Sequence, residues 1–125
     1  MKHLHCLFIS IVLVLTSATA YSKTNWQQVY KDKDVTVLVD QSSYFDETGK
    51  VMLWAKNITK DKIIYVRYQM QCKPHKLFRI LAINAQDKKT NKMLPIQLGD
   101  GVNELHQPPK KSPAEFIVNS VCGKK

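Results

Sequence analysis

The chain lacks the sequence signatures of the common hydrolases. It has no Gly-x-Ser-x-Gly elbow and no His-Glu-x-x-His pair. It also has no paired carboxylates in apolar surroundings, which acid–base catalysis commonly uses. Ser42, Ser43, His75 and His106 could be assembled into a catalytic set, but without a motif we interpret them as surface polar residues. These absences favour a protein that is not an enzyme and needs no cofactor.

Long hydrophobic runs are also absent after the first twenty residues, so we expect no transmembrane segment in the mature chain. The first twenty residues have the features of a secretory signal peptide: Lys2, the apolar run Leu7–Leu15, and the small-x-small site Ala18-Thr19-Ala20. The alternative is a buried N-terminal helix. A lipoprotein would need a cysteine just after the apolar run, where residues 17–22 have none. We therefore predict an exported domain, residues 21–125, without a lipid anchor, in the periplasm or at the cell surface.

Arginine and acidic residues are scarce. The two arginines are Arg67 and Arg79, and the 19 basic residues outnumber the 10 acidic ones, which gives a formal net charge of +9. Removal of Lys2 with the signal peptide leaves +8. Candidate contacts for an anionic ligand or a host protein are Lys73, Lys76, Lys110, Lys111, Lys124 and Lys125. The alternative is a solvated face that aids solubility, because lysine is a strongly hydrated point charge.

Only three cysteines are present, and Cys6 lies in the predicted signal peptide. Cys72 and Cys122 remain, and an even pair in an exported chain predicts a disulfide. Two free thiols are one alternative. A zinc site is another, because Cys72 and His75 have metal-ligand spacing and Cys122 and His106 could complete four ligands.

The stretch Ile63–Ala85 carries the strongest secondary-structure signal. Apolar residues alternate strictly through its first half, which predicts a β-strand with one buried face that ends at Cys72. Pro74 interrupts the pattern, so a second strand should complete a hairpin. Tyr65 and Arg67 fall on the opposite face, where they are candidate contacts for a partner.

The remaining pattern predicts an α+β domain. Shorter strands are expected at Trp26–Tyr30, Val35–Asp40, Val51–Asn57 and Lys92–Gln97, with a turn over Gln41–Lys50 and a loop over Leu98–Lys111. Ser112, Pro113 and Glu115 have the spacing of a helix N-terminus with a capping box. Cys122 falls on the apolar face of that helix. We therefore expect an antiparallel sheet of five to six strands, with a C-terminal helix disulfide-bonded to one face.

The order of these features resembles the surface-adhesin protein E family of Gram-negative bacteria, over roughly Trp26 to Gly123. The segments that carry the resemblance are Val39-Asp40-x-x-Ser43, Gly49, Leu53-Trp54, Cys72, Lys76-Leu77-Phe78-Arg79, Ser112-Pro113 and Val121-Cys122. The resemblance implies an antiparallel sheet with a disulfide-held C-terminal helix, and a role in the cell envelope.

Family and charge together lead to a functional expectation. The leading hypothesis is a non-enzymatic, adhesin-like protein that attaches to host extracellular-matrix or serum proteins. The alternative is a soluble periplasmic accessory protein that binds an anionic envelope component, such as lipopolysaccharide or an acidic glycan, or another exported protein. Nucleic acid is not expected as a partner outside the cytoplasm. The sequence does not set the oligomeric state, and it is compatible with a dimer.

Overall fold

The fold was determined as a computed structural model, which describes residues 23–96 and 104–123. The strands are β1 (Trp26–Lys31), β2 (Thr36–Asp40), β3 (Phe45–Glu47), β4 (Lys50–Ile58), β5 (Lys62–Gln71), β6 (Leu77–Asp87) and β7 (Met93–Leu94), and the helix is α1 (Pro113–Cys122). Within the described residues, no helix is long and apolar enough to cross a membrane. The signal peptide predicted for residues 1–20 lies outside these ranges.

The strands form one antiparallel sheet in the order β1-β2-β4-β5-β6-β7. Its centre is the long β4–β5–β6 meander, in which Lys50 pairs with Gln71 and Ile58 with Ile63. A bulge interrupts the β5–β6 register between Arg67 and Tyr68. The hairpin predicted from alternation over Ile63–Ala85 is therefore present, and both of its strands are long enough to pair along most of the sheet.

Two elements differ from the sequence prediction. The stretch predicted as a turn, Gln41–Lys50, contains a 3₁₀ turn (Gln41–Ser43) and the short strand β3, which pairs with β4 in line with β2. Asp40 caps the 3₁₀ turn by accepting from the Ser42 N–H, and this local hydrogen bonding bends the chain before it returns to β4. The strand predicted over Lys92–Gln97 is only two residues long, Met93–Leu94.

The core lies between α1 and one face of the sheet. Alternate residues of the central strands point into it, and Ala114, Ile117 and Val118 of α1 close it from the other side. The strand residues of this core are Val37, Val39, Val51, Leu53, Ala55, Val66, Tyr68 and Met70. The helix contacts β1, β2 and β6, so one layer of helix covers one face of one sheet. This confirms the predicted α+β architecture.

The N-terminus of α1 is capped as the sequence predicts. Ser112 is the N-cap, its Oγ accepts from the Glu115 N–H at 3.2 Å, and Pro113 occupies the first turn. In a standard capping box the glutamate side chain would accept from the N–H of the N-cap residue, Ser112, and here it does not. Glu115 Oε1 accepts from the Lys111 N–H at 3.0 Å, because the Ser112 N–H is already donated to the Pro109 carbonyl.

The disulfide joins Cys72, just after β5, to Cys122, the last residue of α1, with a Cα–Cα distance of 5.4 Å. It therefore fastens the C-terminal end of the helix to the end of a central strand. The prediction of this bond is confirmed, and the alternatives of two free thiols and a zinc site are wrong because both sulfur atoms are used in the bond.

Replacing both cysteines, Cys72→Ser with Cys122→Ser, is expected to lower the free energy of unfolding. The bond closes a 50-residue separation, for which the chain-entropy estimate is about 4 kcal/mol. Denaturant unfolding of the oxidised wild type and of the double variant measures the loss. Wild type unfolded in dithiothreitol is the control and should match the double variant. Equal stability of oxidised and reduced wild type would contradict the stapling role.

Candidate binding sites

The first candidate site is a basic cleft at the disulfide end of the sheet. The β5–β6 turn forms one wall, and the loop before α1 forms the other. Phe78 and His106 hold the two together through reciprocal backbone hydrogen bonds of 2.8 Å. The cleft has a volume of about 440 Å³. Its lining residues are Cys72, Pro74, His75, Lys76, Gln107, Pro108, Lys110 and Glu115.

The fold brings together lysines that are distant in sequence. Lys76 comes from the β5–β6 turn and Lys110 from the loop before α1, and both line the basic cleft. Lys73 and Lys111 lie next to lining residues and are exposed. Four of the six lysines proposed from sequence therefore lie in or beside one cleft. The other two, Lys124 and Lys125, lie outside the described residues.

Lys76 differs from its neighbours because its ammonium group is already used within the protein. Its Nζ donates to Asn119 Oδ1 at 3.0 Å and to the carbonyl oxygen of Gly123. A positive charge at the C-terminal end of a helix also complements the helix dipole. Lys76 therefore helps to hold α1 in place. Lys73 and Lys110 are exposed and better placed to contact a partner.

The second candidate site lies on the outer face, which we define as the face of the sheet opposite α1. Because strand side chains alternate, the residues between the core positions of β4 and β5 point there. Trp54 pairs with Arg67, and Lys56 pairs with Tyr65. The outer face thus combines aromatic rings with cations. It includes both residues, Tyr65 and Arg67, that the sequence offered as contacts.

A shallow pocket of about 290 Å³ lies on the outer face. We call it the aromatic pocket, and its lining residues are Thr24, Trp26, Asp40, Trp54, Tyr65 and Asn84. The rings of Trp26 and Tyr65 are 6.3 Å apart at an angle of 58°. Lys56 Nζ lies 4.4 Å from the centre of the Trp26 ring, within cation–π range.

Sequence reasoning missed most of this pocket. The one available signal was that Trp54 and Lys56 alternate with apolar residues, which places both side chains on the same face of the strand. Trp26 and Asn84 come from β1 and β6, and they reach the pocket only through the pairings of Trp26 with Asp40 and of Asn84 with Tyr65. Those pairings depend on the order and register of the strands, which alternation alone does not give.

Asp40 lines the aromatic pocket and is only 5% exposed. Its Oδ1 accepts from the Asn25 N–H at 2.8 Å, the Ser42 N–H at 3.0 Å and the Ser42 hydroxyl at 2.6 Å. Burial raises the pKa of this carboxyl group, but these hydrogen bonds and the charge of Lys56 outweigh burial, so the pKa is lowered overall. Asp40 is therefore ionised at neutral pH.

The residues considered for catalysis are not gathered into one site. Ser43 Oγ donates to the Asp40 carbonyl and accepts from the Trp54 N–H on β4. His106 pairs with Phe78 on β6. Because β5 lies between β4 and β6, Ser43 and His106 are on opposite sides of that strand. Over residues 23–96 and 104–123, no three His, Cys, Asp or Glu side chains are grouped so that they could hold a metal ion.

Comparison of the chain with protein-family models, curated proteins and solved structures found no match in any of the three. The resemblance to the surface-adhesin protein E family stays a prediction from the sequence.

The Asp40→Asn variant tests the electrostatic role of this carboxylate. Because the folded-state pKa is lowered, ionised Asp40 stabilises the fold above its unfolded pKa, and this contribution is lost as the pH falls through the folded pKa. We expect the variant to be less stable at pH 7 by about 1 kcal/mol. It should also lose less stability than wild type on acidification, as measured by urea unfolding at several pH values.

Asp61→Asn is the matched control, since Asp61 is exposed and the substitution removes the same charge. It should leave stability at pH 7 nearly unchanged. If the acid sensitivity of Asp40→Asn equalled that of wild type, the proposed role of the Asp40 charge would be wrong.

Proposed function

We propose that this protein is an exported, non-enzymatic binding protein of the bacterial cell envelope that attaches to an anionic partner through the basic cleft. The observation that carries the proposal is the convergence of Lys110 with the turn that bears Lys73 and Lys76. Neither segment alone presents more than a short run of charge. Together they form one concave cationic surface.

The basic cleft is held in shape by the structure around it, so a ligand would meet a preformed surface. The disulfide and the backbone pairing of Phe78 with His106 fix both walls. A ligand therefore needs to order few groups when it binds, which lowers the entropic cost of association. One acid, Glu115, lines the cleft, but its carboxylate accepts from the Lys111 N–H beside α1.

The charge of the whole chain favours the same class of partner. Without the predicted signal peptide the net charge is +8, which raises the local concentration of anionic polymers around the protein and speeds their encounter with it. Lipopolysaccharide, acidic glycans and heparin-like polymers of host tissue have this chemistry. The predicted signal peptide supports a location where the protein would meet them.

The family resemblance supports the adhesin form of the proposal, in which the protein attaches to host extracellular-matrix or serum proteins. The alternative is a periplasmic accessory protein that binds an anionic envelope component or another exported protein. In both versions of the proposal the protein acts outside the cytoplasm. The adhesin would act on the outer side of the outer membrane, and the accessory protein would act on its periplasmic side.

Charge reversal in the basic cleft, Lys73→Glu with Lys110→Glu, is expected to weaken binding to lipopolysaccharide and to heparin by more than about tenfold. The reason is electrostatic, so wild-type binding should also weaken steeply between low and physiological salt. Calorimetric titration at two salt concentrations measures both effects.

The matched control is Lys89→Glu with Lys92→Glu, which makes the same change in net charge near the other end of β6. The eleven residues of β6 place that end roughly 33 Å away. If the control lost as much affinity as the cleft variant, the lysines would act only through net charge and the cleft would not be the site.

Protease treatment of intact cells distinguishes the two forms. An adhesin should be cleaved on intact cells, because it would be exposed outside the outer membrane. A periplasmic protein should be cleaved only after that membrane is permeabilised. Immunodetection of the chain before and after permeabilisation measures this, with a known periplasmic protein as the control. Recovery of the chain only in the cytoplasmic fraction would contradict both forms.

A further inference from the structure

The outer face has a composition that solubility does not explain. Both tryptophans of the chain lie there with Tyr65, although the helix and the core are on the other side of the sheet. All three rings are partly exposed and line the aromatic pocket. Aromatic side chains on an open face lose the benefit of burial unless a partner covers them, which is why such patches often mark binding sites.

The shape and polarity of the aromatic pocket limit what could occupy it. Its volume of about 290 Å³ is close to the lower end of the range for small-molecule sites. It is walled by flat rings, with the Asp40 carboxylate and the Asn84 amide as polar groups. A pyranose ring fits this pattern, because its C–H faces pack on aromatic rings while its hydroxyl groups donate to a carboxylate and bond to an amide.

Asp40 is arranged to serve as an acceptor for hydroxyl groups. The three hydrogen bonds described above all go to Oδ1. These bonds hold the carboxylate in place, and none of the three uses Oδ2. A preorganised acceptor of this kind needs little rearrangement on binding.

Cations lie beside the pocket. Lys56 Nζ is close to the Trp26 ring, and Arg67 pairs with Trp54 across the strands. The Lys56 ammonium therefore lies beside one of the rings, and Arg67 occupies the strand position opposite Trp54 on the same face. An acidic sugar would meet these two positive charges, while its hydroxyl groups would meet Asp40 and Asn84.

We propose that the aromatic pocket binds a pyranose unit of an acidic saccharide chain, with the sugar carboxylates directed to Lys56 and Arg67. The pocket and the basic cleft share no lining residue. This site is therefore separate from the one in the proposed function, and either can fail without the other.

The intrinsic fluorescence of the protein reports on this site directly, because Trp26 and Trp54 both line it and the chain has no other tryptophan. Titration with tetragalacturonate should change the emission in a saturable way. Maltotetraose, a neutral tetrasaccharide, should bind at least about tenfold more weakly, since it lacks the charge-assisted bonds to Lys56 and Arg67. Equal affinity for the two would overturn the acidic assignment.

Two substitutions locate the binding. Asn84→Ala changes an exposed side chain on the outer face and should weaken tetragalacturonate binding by about five- to tenfold, the effect of one hydrogen bond. Trp54→Ala should abolish binding measured by calorimetry, while Trp54→Phe should retain part of it. The controls are Met93→Ala, at an exposed position on β7, and the cleft variant Lys73→Glu with Lys110→Glu.

Both controls should bind tetragalacturonate as wild type does. Loss of binding in the cleft variant would assign the saccharide to the basic cleft and overturn this proposal. No emission change with tetragalacturonate would also overturn it. An equal response to an oligothymidylate would overturn it as well, because stacked bases lack the hydroxyl rim that Asp40 and Asn84 are proposed to recognise.

Discussion

The packing of α1 against one face of the sheet is the interaction on which the rest of the structure depends. It buries Ile117 and Val118 in one core with the inward-facing residues of the sheet, and the Cys72–Cys122 bond holds the end of the helix there. A small domain gains limited stability from its core alone, so a covalent staple between helix and strand contributes a large share. The same packing makes the two faces of the sheet different.

The face away from α1 can carry function because the core does not need it. Side chains there are free of the volume limits that a packed interior imposes, and the strands still hold them rigidly. Trp54, Tyr65 and Asn84 project from three neighbouring strands, and Trp26 reaches the same place from β1. A sheet positions such groups more reproducibly than a loop, which suits recognition of a ring with fixed hydroxyl directions.

The basic cleft arises from the way the core is closed. The Cys72–Cys122 bond brings the end of α1 to the β5–β6 turn, and the loop before the helix passes the start of β6 at Phe78. The pairing of Phe78 with His106 brings the lysine-bearing turn beside the segment that carries Lys110, and Lys76 bonds the last turn of α1. The same part of the structure therefore serves stability and the proposed binding. Lys76 bonds to α1 within the protein, whereas Lys73 and Lys110 are exposed to a partner.

The sequence by itself determined the features that depend on local periodicity and pairing chemistry: the strand alternation before Cys72, the capped helix after Ser112, the cysteine pair, and so the α+β class. The structure alone decided strand order, register and the short β3, because these depend on contacts between distant segments. Tertiary structure also decided the sites. Lys110 and Lys76 line one cleft, and Trp26 lies beside Tyr65, only because the packed sheet and helix bring together segments that no local pattern connects.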